Sequence, residues 1–269
     1  MNTKLYKTLF ALPVVALLTT GCEDFMDTAP MGSTVTSDQK EETVAADPSR
    51  IEASVAAISA NFLQFGGVYT DESVHSDIGY PCIMLTTDSR TADMVADPVG
   101  YNWFSDGLLY DDSQPTSRSI TLMWNTLYNQ IYTANNVIGL VDPETEDASS
   151  QFYLAQALAI RAFDYFTLVQ LFQANYQGHE DALGVPLITD ENKDEVAAVG
   201  LARSTVRETY EFILNDLNRA IELLQSSGMA RPDKRYISLD VVYGIRARVY
   251  LTMHEYEAAL ADAETALAS

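Results

Sequence analysis

From residue 48 onward, apolar positions recur at helical spacing. Ile51, Val55, Ile58 and Phe62 lie three or four residues apart, which predicts one helix that ends by Phe65, before Gly66-Gly67. Residues 66–118 carry no amphipathic period and are rich in Asp, Tyr, Gly and Ser. A loop of that length in a compact domain is usually functional or disordered. From Ser119 the chain reads as nearly all helix. Trp124, Leu127, Ile131, Ala134 and Ile138 form an apolar stripe, with Asn125, Asn129, Gln130 and Asn136 on the polar side. Residues 151–173 are apolar on two faces, Ala155, Ala159, Ala162, Phe166 and Val169 on one and Leu154, Leu158, Tyr165, Leu168 and Phe172 on the other. A helix apolar on both sides has to be sandwiched, so this one is expected at the centre. Residues 174–204 form a second irregular stretch. Thr205 and Glu208 have the spacing of a capping box and open a helix striped by Val206, Tyr210, Ile213, Leu217 and Ile221. Gly228 and Pro232 end it, and two more helices follow at about 238–253 and 255–268, broken near His254-Glu255.

That last pair has the spacing of a tetratricopeptide repeat: Tyr243, then Arg246-Ala247, then Tyr250, Ala259 and Ala263. Ala247, Ala259 and Ala263 let two antiparallel helices approach closely, and Tyr243, Tyr250 and Tyr256 are expected to fill the angle between them. Arg246 stands where Leu is usual, and Ala263 where an aromatic is usual. One repeat cannot bury its own face, so the chain is expected to be truncated, stopping where packing demands more. The fold class expected is all-α, a tetratricopeptide-like helical-repeat array with long irregular loop insertions.

The N-terminus has a different character. Lys4 and Lys7 precede ten apolar residues, 9–18, and Gly21-Cys22 follows. That run is too short to span a bilayer, for which roughly 20 residues are needed, but it suits a secretory signal peptide over residues 1–21. Cleavage before Cys22 would make it a lipidated N-terminus, followed by a flexible tether to residue 46, with the helical domain over 47–269. At −22, and more negative once Lys4 and Lys7 are removed, the chain repels nucleic acid and anionic surfaces. Cys82 would remain as the one thiol, so the fold rests on its core and not on a disulfide.

No catalytic constellation stands out: there is no nucleophile elbow, phosphate loop or zinc-binding pair of histidines. His75, His179 and His254 are scattered, and neither a metal nor a cofactor is expected. Asp71, Glu72, Asp77, Asp88, Asp93 and Asp97 include no pair whose separation the sequence fixes. Tyr69, Tyr80, Tyr101, Trp103 and Tyr110 lie outside the helical stripes, with Asn102 between two of them. Flat rings with polar neighbours suit the C–H faces and hydroxyls of a sugar, so Tyr80, Tyr101, Asn102 and Trp103 are candidate ligand contacts. Anchoring the loop to the helices is the other role open to these rings. Trp124, on its stripe, is expected in the core.

The motifs CEDFMDTAP, WNTLYNQIYTANNVI, ALAIRAFDYFTLVQLF, GVPLIT, RSTVRETYEFILNDLNRAIELL and LDVVYGIRARVYLTMHEYEAALADAETAL occur in an order that resembles the SusD/RagB family of Bacteroidota surface lipoproteins. The resemblance runs from Cys22 to the end, is weakest over 66–118, and covers about the N-terminal half of a typical member; Phe172-Gln173 replaces an aromatic-Gly pair. It implies a lipid anchor on Cys22, with Glu23, Asp24 and Asp27 as the mark for surface export, on the cell outer membrane facing outward. It further implies capture of an oligosaccharide or peptide and delivery to a SusC-like TonB-dependent outer-membrane transporter. Two other functions stay open: a periplasm-facing scaffold for outer-membrane assembly, and a secreted glycoside hydrolase.

Overall fold

The computed structural model describes residues 36–65, 70, 74–94, 101 and 103–268. The chain divides into two compact units, residues 1–42 and 43–269. Of the first unit only residues 36–42 are described, and from residue 37 they belong to helix α1, Ser37–Ala46. The expected tether is therefore helical over its last ten residues. The signal was there: Thr36 and Gln39 close a reciprocal cap, Gln39 N donating to Thr36 Oγ1 and Thr36 N to Gln39 Oε1.

In the second unit a single 3-10 turn, Pro48–Arg50, leads into α2, Ile51–Asn61. Its predicted stripe is real, with Ile51, Val55 and Ile58 buried. The insertion expected to be irregular holds two short helices, α3, Tyr80–Ser89, and α4, Ser105–Leu109. Then come α5, Arg118–Ile138, and α6, Ala148–Phe172. Short α7, Lys193–Val199, lies within the second irregular stretch. The chain finishes in α8, Val206–Ser227, α9, Leu239–Thr252, and α10, Tyr256–Leu267. Among the described residues there is no strand; one isolated bridge joins Leu183 to Thr205.

Helix α6 lies at the centre, as its two apolar faces require. Residues 150–162 are all buried, and α8, α5 and α2 pack around it. Tyr165, Phe152 and Phe166 are fully enclosed there, and each such ring contributes on the order of 2–3 kcal/mol through burial. The α8 stripe is buried along its length, and Thr205 and Glu208 make the full capping box. At Gly184 the connecting stretch passes so near α8 that an added Cβ would lie 2.5 Å from Thr209 Oγ1 and 2.7 Å from Thr205 O.

Three details depart from the sequence pattern. Gln130, expected on the polar side of α5, is buried, and its Nε2 donates to Ile58 O at 3.1 Å, tying α5 to α2. Tyr256 does not fill the α9–α10 angle: it is exposed and stacks on His254, which ends α9 in a left-handed conformation (φ 65°). Arg246 takes the place of the missing apolar contact. Its Nε and Nη2 donate to the two Asp262 oxygens at 2.6 and 2.7 Å, and its guanidinium lies 5.3 Å from the Tyr243 ring. A bidentate ion pair thus stands where this repeat usually places Leu.

Candidate functional site

Gly79 decides how the insertion meets the scaffold. Its φ is +74°, and an added Cβ would fall 2.4 Å from Phe62 O. The turn that results lets Tyr80 N donate to Phe62 O at 2.8 Å, at the end of α2. Pro81 then starts α3 where a missing N–H costs nothing. Ion pairs fasten the rest. Arg118, at the start of α5, binds buried Asp77, and Arg90 Nη2 lies 2.7 Å from buried Asp112 Oδ2. Tyr110 OH donates to Arg90 O at 2.7 Å. Phe104 and Tyr110 flank α4 with φ of 64° and 59°, a conformation that costs a non-glycine residue about 1–2 kcal/mol each.

Two clefts result. The smaller, about 240 Å³, has Tyr101 and Trp103 at its mouth and Ser76, Cys82 and Asp106 within. Tyr101 is 84% and Trp103 43% exposed, their ring centres 6.1 Å apart and tilted by 36°. Such rings hold no core together, and they face solvent as a pair. Burial pushes the Cys82 thiol up, which disfavours its reactive thiolate form. The larger cleft, about 560 Å³ and open to solvent, lies between the 113–115 turn, the first half of α5 and the end of α6. Trp124, Ile120 and Phe172 give it an apolar wall, and Arg90, Gln114 and Asn125 give it polar groups. Trp124 is half-buried, its ring 5.0 Å from Phe172 edge-on and 4.7 Å from Tyr128. Expected in the core, Trp124 instead has one side packed and the other lining a cleft. The helical stripe located the residue but could not show that residues 113–115 leave it partly uncovered.

The other sequence-predicted residues separate. Tyr80 is half-buried against Phe62 and Phe163, at 5.5 and 5.3 Å, and burial raises its phenol, so it anchors the insertion. Asn102, together with Cys22, Glu23, Asp24 and Asp27, lies outside the described residues, as do Tyr69, Asp71, Glu72 and Asp97. Asp77 is committed to Arg118, and Asp88 and Asp93 are exposed. Among the described residues no group of three His, Cys, Asp or Glu side chains could hold a metal ion.

Helical hairpins around a central helix, with a fastened insertion carrying open aromatic clefts, define a helical-repeat scaffold. A family model described as "Starch-binding associating with outer membrane" matches residues 35–251, and the chain belongs to this SusD-like family. A SusD-like protein of Bacteroides ovatus is 24% identical over 248 residues, which is 90% of this chain and 39% of that protein. The crystal structure of a SusD-like carbohydrate binding protein from Bacteroides vulgatus superposes with a TM-score of 0.66 at 26% identity, over 81% of this chain and 44% of the other. A SusD superfamily protein from Bacteroides fragilis gives 0.62 at 25% identity, covering 81% and 49%. The chain thus spans 39% to 49% of the length of these relatives.

Proposed function

We infer that this chain serves as a cell-surface lipoprotein that binds an oligosaccharide and passes it to a TonB-dependent outer-membrane transporter, without cleaving it. One observation carries the reading. The larger cleft sets the half-buried Trp124 ring and Phe172 beside the amides of Gln114 and Asn125 and the guanidinium of Arg90. A pyranose offers C–H groups on its faces and hydroxyls around its edge, so an aromatic wall with an amide rim suits it. Its volume, about 560 Å³, is within the range of small-ligand sites. Tyr101 and Trp103 would extend the aromatic surface along a longer glycan. Cys22 would carry the lipid, with Glu23, Asp24 and Asp27 as the export mark, and tethering would hold captured sugar near the transporter at raised effective concentration.

Titration calorimetry against a panel of oligosaccharides and peptides tests this. Trp124→Ala should weaken binding of the preferred oligosaccharide at least tenfold, about 1.4 kcal/mol, and Gln114→Ala, on the exposed rim, by a few-fold with the melting temperature unchanged. Release of shortened sugars from any oligosaccharide would overturn the non-catalytic reading. Unchanged affinity in both variants would remove the cleft from the site. Fatty-acid labelling that survives Cys22→Ser would remove the anchor.

A further inference from the structure

A third cleft, about 500 Å³, lies where the end of α2, the middle of α6 and α9 meet the 231–237 loop. It shares no lining residue with the two clefts described above. Its floor is apolar: Phe62 from α2, Phe163 from α6, and Val241 and Ile245 from α9. Val241, Ile245 and Arg248 are spaced by four and three residues, so one face of α9 turns into the cleft and ends in a guanidinium. The loop supplies Arg231, Lys234 and Arg235.

Charge makes this cleft unusual. The chain has 38 carboxylate residues and 16 lysines and arginines, so cations are expected to find partners, and most of the described arginines outside this cleft do. Arg50, Arg90, Arg118, Arg161, Arg207, Arg219 and Arg246 are all ion-paired. Within the cleft only Arg235 is paired, to Asp233, whose carboxyl its hydrogen bonds hold down to about 2. Among the described residues, Arg231, Lys234 and Arg248 make neither an ion pair nor a side-chain hydrogen bond. Arg248 lies 5.8 Å from the Phe166 ring and near enough to the Tyr80 phenol to act on it electrostatically. Two further carboxylates stand nearby. Glu52 accepts from Tyr236 OH, and Asp240 lies near Arg231, whose charge helps to lower its carboxyl.

The wall that carries these cations is fixed in place. Ser59 Oγ donates to Arg235 O at 2.9 Å, Gln156 Nε2 to Ile237 O at 2.9 Å, and Ile237 N to Gln156 Oε1 at 2.6 Å. Gln156 is buried on α6, so the loop is tied to the central helix. A site assembled in advance loses little entropy on binding.

We propose that this cleft binds an anion with an apolar body, a carboxylate, sulfate or phosphate on an alkyl or aryl group, the body on the Phe62–Phe163 floor and the head among Arg231, Lys234 and Arg248. The floor rejects a small hydrated ion, which has nothing to bury. The unpaired cations reject a neutral analogue, which would leave them as they are. The probes are therefore 2-naphthoate, 2-naphthamide with the same body and no charge, and inorganic sulfate with charge and no body.

Calorimetry on the full chain should show 2-naphthoate binding at least tenfold more tightly than either control, and more weakly as salt rises. The triple variant Arg231→Gln, Lys234→Gln, Arg248→Gln should lose that preference. Val241→Glu, at a position already 37% exposed, should abolish naphthoate binding while leaving the circular dichroism melt unchanged. Equal binding of naphthamide would reduce the cleft to an apolar groove, and equal binding of sulfate to a loose cationic patch; either overturns the proposal. Retained naphthoate binding in both variants also overturns it. Oligosaccharide affinity should be unaffected by Val241→Glu and naphthoate affinity by Trp124→Ala, so this site and the glycan cleft stand or fall separately.

Discussion

Asp164 is fully buried on α6, and neither carboxyl oxygen has a hydrogen-bond partner among the described residues. Burial raises its pKa well above the usual carboxylate range, because the charged form has no solvation there. The folded chain therefore keeps a proton that the unfolded chain, with an Asp near pH 3.9, has released. Stability is complete below that pH and is lost as pH rises toward the folded value. The slope is about 1.4 kcal/mol per pH unit while the two states differ by one proton. Asp164→Asn removes the titration. Urea unfolding from pH 4 to 8 should show the variant gaining on the parent as pH rises, and a pH-independent difference would show that Asp164 is not held neutral. Nothing in the sequence marks this residue, since an acid on a helix apolar on both sides looks like a solvated gap. The exposed aromatics were easier to read. Tyr101 and Trp103 lie outside any periodic stripe and do face solvent. Trp124 and Tyr80 were harder to read, since whether a ring is covered depends on which distant segment packs over it. Trp124 lines a cleft, whereas Tyr80 anchors against Phe62 and Phe163.

At the scale of elements, the long helices were legible because their apolar stripes exceed four turns and the caps agree with them. Thr205 with Glu208 and the break at His254 fall where the pattern places them. The short helices were not legible. Four of the ten α3 residues are buried, Cys82, Ile83, Thr86 and Ser89, and two of those are polar, so no hydrophobic period survives. Its position is set by geometry at Gly79. Gly79→Ala forces a left-handed alanine and a clash with Phe62 O, which together cost about 2–4 kcal/mol. The insertion should detach before the scaffold does. The expected outcome is an oligosaccharide affinity lowered more than tenfold with far-UV ellipticity within a few per cent of the parent. Full affinity in this variant would mean that the Tyr80–Phe62 joint does not hold the cleft.

Considered as a whole, the molecule places one wall of the larger cleft on each side of a seam. Arg90 follows α3 in the insertion, while Trp124 and Phe172 belong to the scaffold, and among the described residues the seam between them is closed by the Tyr80 backbone hydrogen bond, the Tyr80 ring against Phe62 and Phe163, Ile83 in the core and the Asp77 ion pair. Few fastenings imply a separate cooperative unit that opens below the free energy of global unfolding. Amide hydrogen exchange would register it, with residues 80–89 trading protons sooner than the interior of α6. A bound glycan bridging the seam changes that order. Opening the insertion then also means releasing the ligand, which adds about 2.7 kcal/mol at a hundred times Kd. Exchange at residues 80–89 should therefore slow by about a hundredfold. Amides of α10 that exchange by fraying, with the cleft intact, should keep their rates. A sugar held this way acts as mortar between two blocks, and its affinity can be read from the protons of a helix that never touches it.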